Sequence, residues 1–130
     1  MVRGRMSRTV FERVIDGELP SRKVYENETV VAFLDIDQSD EGHLLVVPRI
    51  AVDKFYELED EVWSELMRVS KELAVRLERV TGCRTRMEIL GVDVPHVHVH
   101  LVPITVVSGK VFGENKLAGL SADEIWEALK

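Results

Sequence analysis

The sequence predicts an α+β fold: a five-stranded, largely antiparallel sheet with one long helix laid against it and short helices near both ends. Three observations carry that expectation. Residues 60–80 place Val62, Leu66, Val69, Leu73, Leu77 and Val80 at steps of three and four, the spacing of a single apolar helix face. Short β-branched and aromatic runs bounded by turn residues recur on either side of that helix. Residues 95–103 alternate strictly, with His96, His98 and His100 on one side and Val97, Val99 and Leu101 on the other.

In chain order, Val10, Phe11, Val14 and Ile15 stand at helical spacing until Gly17 and Pro20 interrupt them, which predicts a short helix over 9–15. Residues 23–35 form two apolar runs broken at Glu26-Asn27-Glu28, the pattern of a hairpin. A polar turn over 38–42 leads into an apolar run over 43–47, closed by Pro48, which suits an inner strand. The long helix has Asp60 as a candidate cap and Thr81-Gly82 as a candidate stop. Strands follow over 84–90 and 95–103. Ser121 with Glu124 makes a capping-box pattern ahead of Ile125, Trp126 and Leu129, predicting a helix over 121–129. The 130 residues read as a single domain with a core over about 9–103 and a tail over 104–130.

Composition narrows the function. Apolar residues make up 45% and charged residues 31%, ordinary for a globular protein. The net charge is −6 with no basic stripe, which argues against a nucleic-acid polymer as partner. No run approaches the ~18 apolar residues of a membrane span, and the stretch around Arg3 and Arg5 lacks the apolar core of a signal peptide, so no membrane association and a cytoplasmic location are expected. Cys83 is the only cysteine, which excludes an internal disulfide and a thiolate zinc cluster within one chain.

The chemistry-bearing stretch is His96-Val97-His98-Val99-His100-Leu101-Val102. Alternation aligns three imidazoles, each able to act as nucleophile, acid, base or ligand near neutral pH. The only other histidine, His43, lies on a predicted neighbouring strand, so all four rings could meet. Two further readings stay open on residues alone: a zinc site taking two of the row plus His43, and a surface strand whose polar face happens to be histidine.

HVHVHLV resembles the signature of the histidine triad (HIT) family, and the resemblance extends in family order through FERVIDGE (11–18), AFLDI (32–36), GHLLVVP (42–48) and VPHVHVHLVP (94–103). It implies a HIT-like fold, a homodimer, and a nucleotide hydrolase or nucleotidyl transferase needing no cofactor. Its substrate would be a purine nucleotide, an AMP or GMP derivative such as a phosphoramidate or dinucleoside polyphosphate. By position, His98 matches the nucleophile that forms a nucleotidyl-histidine intermediate at the α-phosphorus, with His96, His100 and His43 as its partners. Asp35 matches the residue that accepts from the ribose hydroxyls, and Phe11, Val14, Leu19, Phe33 and Leu45 match positions around the base. Backbone N–H groups near Gly91 and His98 are expected to meet the phosphoryl oxygens.

The chain departs from the family in two places. Where many members carry zinc ligands it has Thr9, Glu12 and Ala51, none of them a cysteine or histidine, so no metal is expected there. Before the triad, Glu88-Ile89-Leu90-Gly91-Val92-Asp93-Val94-Pro95 replaces a longer polar loop. Val92 stands in place of an amide and Asp93 in place of a hydroxyl. The pattern GxxVPHxHxHLxP resembles a distinct branch of the family. A carboxylate near the phosphate costs ~1 to 4 kcal/mol by Coulomb repulsion, which leaves room for a catalytically weak nucleotide-binding sensor or adaptor as the alternative.

Overall fold

The computed structural model describes residues 8–38, 41–107, 110–112 and 120–130. The N-terminal stretch with Arg3 and Arg5, and most of the tail ahead of residue 120, lie outside the described residues.

Helix α1 (Val10–Ile15) opens the described chain, with Thr9 and Glu12 forming a capping box. Strands β1 (Lys23–Glu26), β2 (Val30–Leu34) and β3 (Leu44–Pro48) follow, then a single 3₁₀ turn (Phe55–Glu57) and the long helix α2 (Asp60–Thr81). After α2 come β4 (Arg84–Glu88), β5 (Val99–Val107), β6 (Lys110–Phe112) and α3 (Ala122–Leu129). The expected five-stranded antiparallel sheet has the order β1-β2-β3-β5-β4.

Two features differ from the sequence expectation. The last long strand begins at Val99 rather than near 95, because the N–H groups of His96 and Val97 bond to the carbonyls of Val94 and Val52 instead of joining the ladder. Short β6, which no periodicity announced, pairs with residues 105–107 of β5.

The period-two pattern sorts the sheet into two faces. Val30, Ala32, Leu34, Leu44, Val46, Val99 and Leu101 pack toward Leu66, Val69, Leu73 and Leu77 of α2, and Ile125 and Leu129 of α3 complete this core. Trp126 of α3 donates its Nε1–H to the Lys23 carbonyl at 2.8 Å, tying the tail helix to β1. The opposite face carries Val31, Phe33, Leu45 and Val47, covered by Phe11 and Val14 of α1. Because both faces of β2 and β3 are covered, every residue of both strands is buried. None of the described helices is long and apolar enough to cross a membrane.

Candidate active site

On the α1 side the sheet stops short of being fully covered, leaving a cavity of about 550 Å³ between α1, the ends of β2 and β3, and the loop after β4. That size suits a small ligand. Phe11, Val14, Leu19, Phe33 and Leu45 line its apolar part, and Asp35, Asp93, His98 and His100 also line it. Nine of the residues singled out from the sequence are therefore brought to one cavity. Gly91 is exposed on the loop after β4, at a φ of 69°, and is not among the lining residues. His96, which is fully buried, and His43 are not among the lining residues either. The lining also includes Val10, Pro20, Ser21, Arg22, Leu34, Ile36 and Val94. Arg22 went unnoticed because it lies in a linker with no periodic signal; in the fold its Nε pairs with Asp123 of α3 at 2.8 Å.

The four histidines are held in defined states by their partners. The Pro48 carbonyl can only accept, so at 2.7 Å it takes the Nε2–H of His96, which leaves Nδ1 of a neutral ring as an acceptor. Thr9 Oγ1 donates to that Nδ1 at 2.8 Å and itself accepts from the Glu12 N–H at 3.1 Å. A fully buried imidazole is thus bonded at both nitrogens, and it fastens the start of α1 to the segment ahead of β5. This pairing does not fit a zinc site at Thr9, Glu12 and Ala51: hydroxyl and imidazole satisfy each other, and alanine offers no donor atom.

His98 differs. Its Nδ1–H donates to the His96 carbonyl at 2.7 Å, so Nε2 carries the lone pair when the ring is neutral. The ring is only 1% exposed yet lines the cavity, and Nε2 makes no hydrogen bond. Asp93 Oδ1 lies 3.3 Å from Nε2, within ion-pair distance but without hydrogen-bond geometry. Phe11 supports the His98 ring edge-on, with centroids 4.7 Å apart.

His100 shares one proton with His43, Nδ1 to Nε2 at 2.9 Å, and Asp35 Oδ2 lies 3.7 Å from His43 Nδ1. The carboxylate favours the proton on His43 Nδ1, which makes His100 the donor and leaves its Nε2 as a lone pair; that Nε2 is buried and makes no hydrogen bond. Burial pushes the His100 imidazole below its ordinary range, and the neighbouring His98 and His43 rings push it further, against the opposing pull of Glu88 and Asp93. Asp35, His43 and His100 also bring ligand atoms within 4.8 Å of one another, the one such group among the described residues. It contains a single member of the triad, whereas the zinc reading from sequence needed two.

The connection between β2 and β3 places Asp35 and His43. Gln38 Nε2 donates to the carbonyls of Asp35 and His43 at 2.7 and 3.0 Å, and its Oε1 accepts from the Gly42 N–H at 2.9 Å. Sequence reasoning treated Gln38 as one polar residue of a turn, since nothing local reveals that its amide spans the loop.

Comparison with known proteins agrees with this geometry. A HIT domain family profile matches residues 16–105. The chain is 30% identical over 126 residues to an uncharacterized HIT-like protein of Methanocaldococcus jannaschii, covering 93% of this chain and 98% of that one. It is 31% identical over 96 residues to an adenosine 5'-monophosphoramidase of Schizosaccharomyces pombe, covering 72% of each. The crystal structure of a HIT family member from Bacillus subtilis superposes with a TM-score of 0.73 at 31% identity, covering 91% of this chain and 86% of that one. With the triad on the cavity side of the sheet, and with the matched profile spanning most of the chain, the protein belongs to the HIT domain family.

Proposed function

We propose that this protein hydrolyses, or transfers from, the α-phosphorus of a purine nucleoside phosphoramidate or related nucleotide, through attack by His98 Nε2. The observation that carries the reading is the fixed tautomer of His98, a residue that lines the apolar cavity: its Nδ1–H is committed to a carbonyl, so the lone pair is on Nε2. Phe11, Val14, Leu19, Phe33 and Leu45 take the base, Asp35 accepts from the ribose hydroxyls, and the phosphate meets His98 and His100. The backbone near Gly91 assists through its N–H groups. His96 acts as a positioning residue, since its carbonyl orients His98. Relatives described as adenosine 5'-monophosphoramidases support the reaction class. No cofactor is required, the enzyme works as a homodimer, and a cytoplasmic location suits its single cysteine.

The test is His98→Ala against adenosine 5'-phosphoramidate. Release of AMP should fall by about 10³-fold or more, while AMP still raises the melting temperature as in the parent. Undiminished AMP release by this variant would end the proposal. One observation favours the second reading, a nucleotide-binding sensor or adaptor: Nε2 of His98 is inaccessible and faces a carboxylate. AMP binding without turnover across phosphoramidates, dinucleoside polyphosphates and nucleotidyl sulfates would select it.

A further inference from the structure

The carboxylate beside the nucleophile needs a chemical account, because an anion facing an incoming phosphate is a penalty unless it performs a step. Asp93 Oδ1 lies 3.3 Å from His98 Nε2 and accepts the Val94 N–H at 3.0 Å, which fixes the carboxylate although the side chain is 65% exposed. It lines the same cavity as His98. The other charged and titratable groups around the pair already have partners: Glu88 with Arg86 on β4, and His100 with His43, which in turn faces Asp35. From α1 the ring of Phe11 faces His98.

We propose that Asp93 is a catalytic acid and base, carrying one proton beside His98 and passing it to the leaving group. The proposal rests on the reading of His98 as nucleophile. In the resting site Oδ1 lies 3.3 Å from Nε2 with no hydrogen bond between them, so the Nε2 lone pair is free. On binding, the anionic phosphate brings a solvent proton onto the Asp93 carboxyl, and the Nε2 lone pair stays free to attack. In the first step Nε2 bonds to phosphorus and the bond from phosphorus to the leaving nitrogen or oxygen breaks. That bond's electron pair goes to the leaving atom, which takes the proton from Asp93. In the second step water bonds to phosphorus and gives a proton to the Asp93 carboxylate, while the P–Nε2 bond returns its pair to His98. Nucleoside monophosphate departs and the pair is restored. A hydroxyl at this position could donate a hydrogen bond, but its alkoxide is too basic to stand between the two steps as the carboxylate does.

Asp93→Asn and Asp93→Ser test this with two substrates: an adenosine 5'-phosphoramidate of a simple alkylamine, whose amine must be protonated to leave, and adenosine 5'-(4-nitrophenyl phosphate), whose phenolate leaves without a proton. With the amine substrate, both variants should slow by about 10²- to 10³-fold. With the nitrophenyl ester they should keep a stoichiometric burst of nitrophenolate at the parent's rate. Slow turnover would follow, with the mass of a nucleotidyl-enzyme accumulating. Parent-like steady-state rates on both substrates, or an equal loss in the burst and in amine release, would overturn the assignment of Asp93. Loss of the burst in His98→Ala alongside a burst in the Asp93 variants keeps the two readings apart. If His98→Ala gives the same burst as the parent, the reading of His98 fails and the role of Asp93 falls with it.

Discussion

At the scale of single residues, hydrogen bonding decides which histidine can do what. Three imidazoles identical in sequence pattern end in three states: His96 bonded at both nitrogens, His98 bonded at Nδ1 alone, and His100 joined to His43. Burial keeps the His100 proton affinity low. In the unfolded chain that histidine titrates near its ordinary pKa of about 6.5. As pH falls through that value the unfolded state binds a proton that the folded state refuses, so stability contributed by His100 being neutral is present above that range and is lost below it. Urea denaturation at pH 7.5 and pH 5.5 should therefore show a lower midpoint at the acid pH, and His100→Gln should reduce that difference. An unchanged pH dependence in the variant would contradict the assignment.

At the scale of elements, the β2–β3 connection shows how a turn sets the chemistry of a site. Gly42 has a φ of 84°, which favours glycine, and a Cβ there would lie 3.0 Å from Pro103 Cγ and 3.6 Å from Leu77 Cδ1. Gly42→Ala should lower stability by about 1 to 3 kcal/mol, and it should reduce catalysis further by moving His43 away from His100. A chemical melt together with AMP release measures both, and a variant with the parent's midpoint would refute the strain. The sequence reading placed this turn between 38 and 42 and put Asp35 and His43 on either side of it. It did not show the Gln38 amide bridging the two carbonyls, because that bridge exists only once β2 and β3 have paired. The late start of β5 has a similar origin: His96 and Val97 keep the alternation of a strand while their N–H groups find partners in Val94 and Val52. Periodicity reports which face a side chain takes, and it is silent on where a ladder begins.

At the scale of the whole molecule, two layers cover the sheet unequally. The α2 side is closed by a long helix with a continuous apolar stripe, whereas α1 is only two turns long and leaves the cavity open beside it. Strand β4 lies outermost in the sheet order, with Met87 and, just beyond it, Leu90 about half exposed. Light scattering should give the mass of a homodimer at micromolar concentration, and Met87→Glu should shift the population toward monomer if this edge carries the contact. A monomeric parent protein would remove the dimer from the proposal.

By itself the sequence determined the α+β class, the faces of the strands and helix α2, and nine of the residues that line the cavity. The class and the faces follow from local periodicity, and the cavity residues from what the resemblance to the HIT family implies; both are written in the order of residues. Only the tertiary structure decided that His96 is buried and bonded at both nitrogens, that Asp93 Oδ1 comes within 3.3 Å of His98 Nε2, and that Gln38 and Arg22 belong to the surroundings of the site. Those outcomes depend on contacts between segments far apart in the chain, such as Thr9 with His96, or on the path of a short loop, and no repeat in the residue order encodes either.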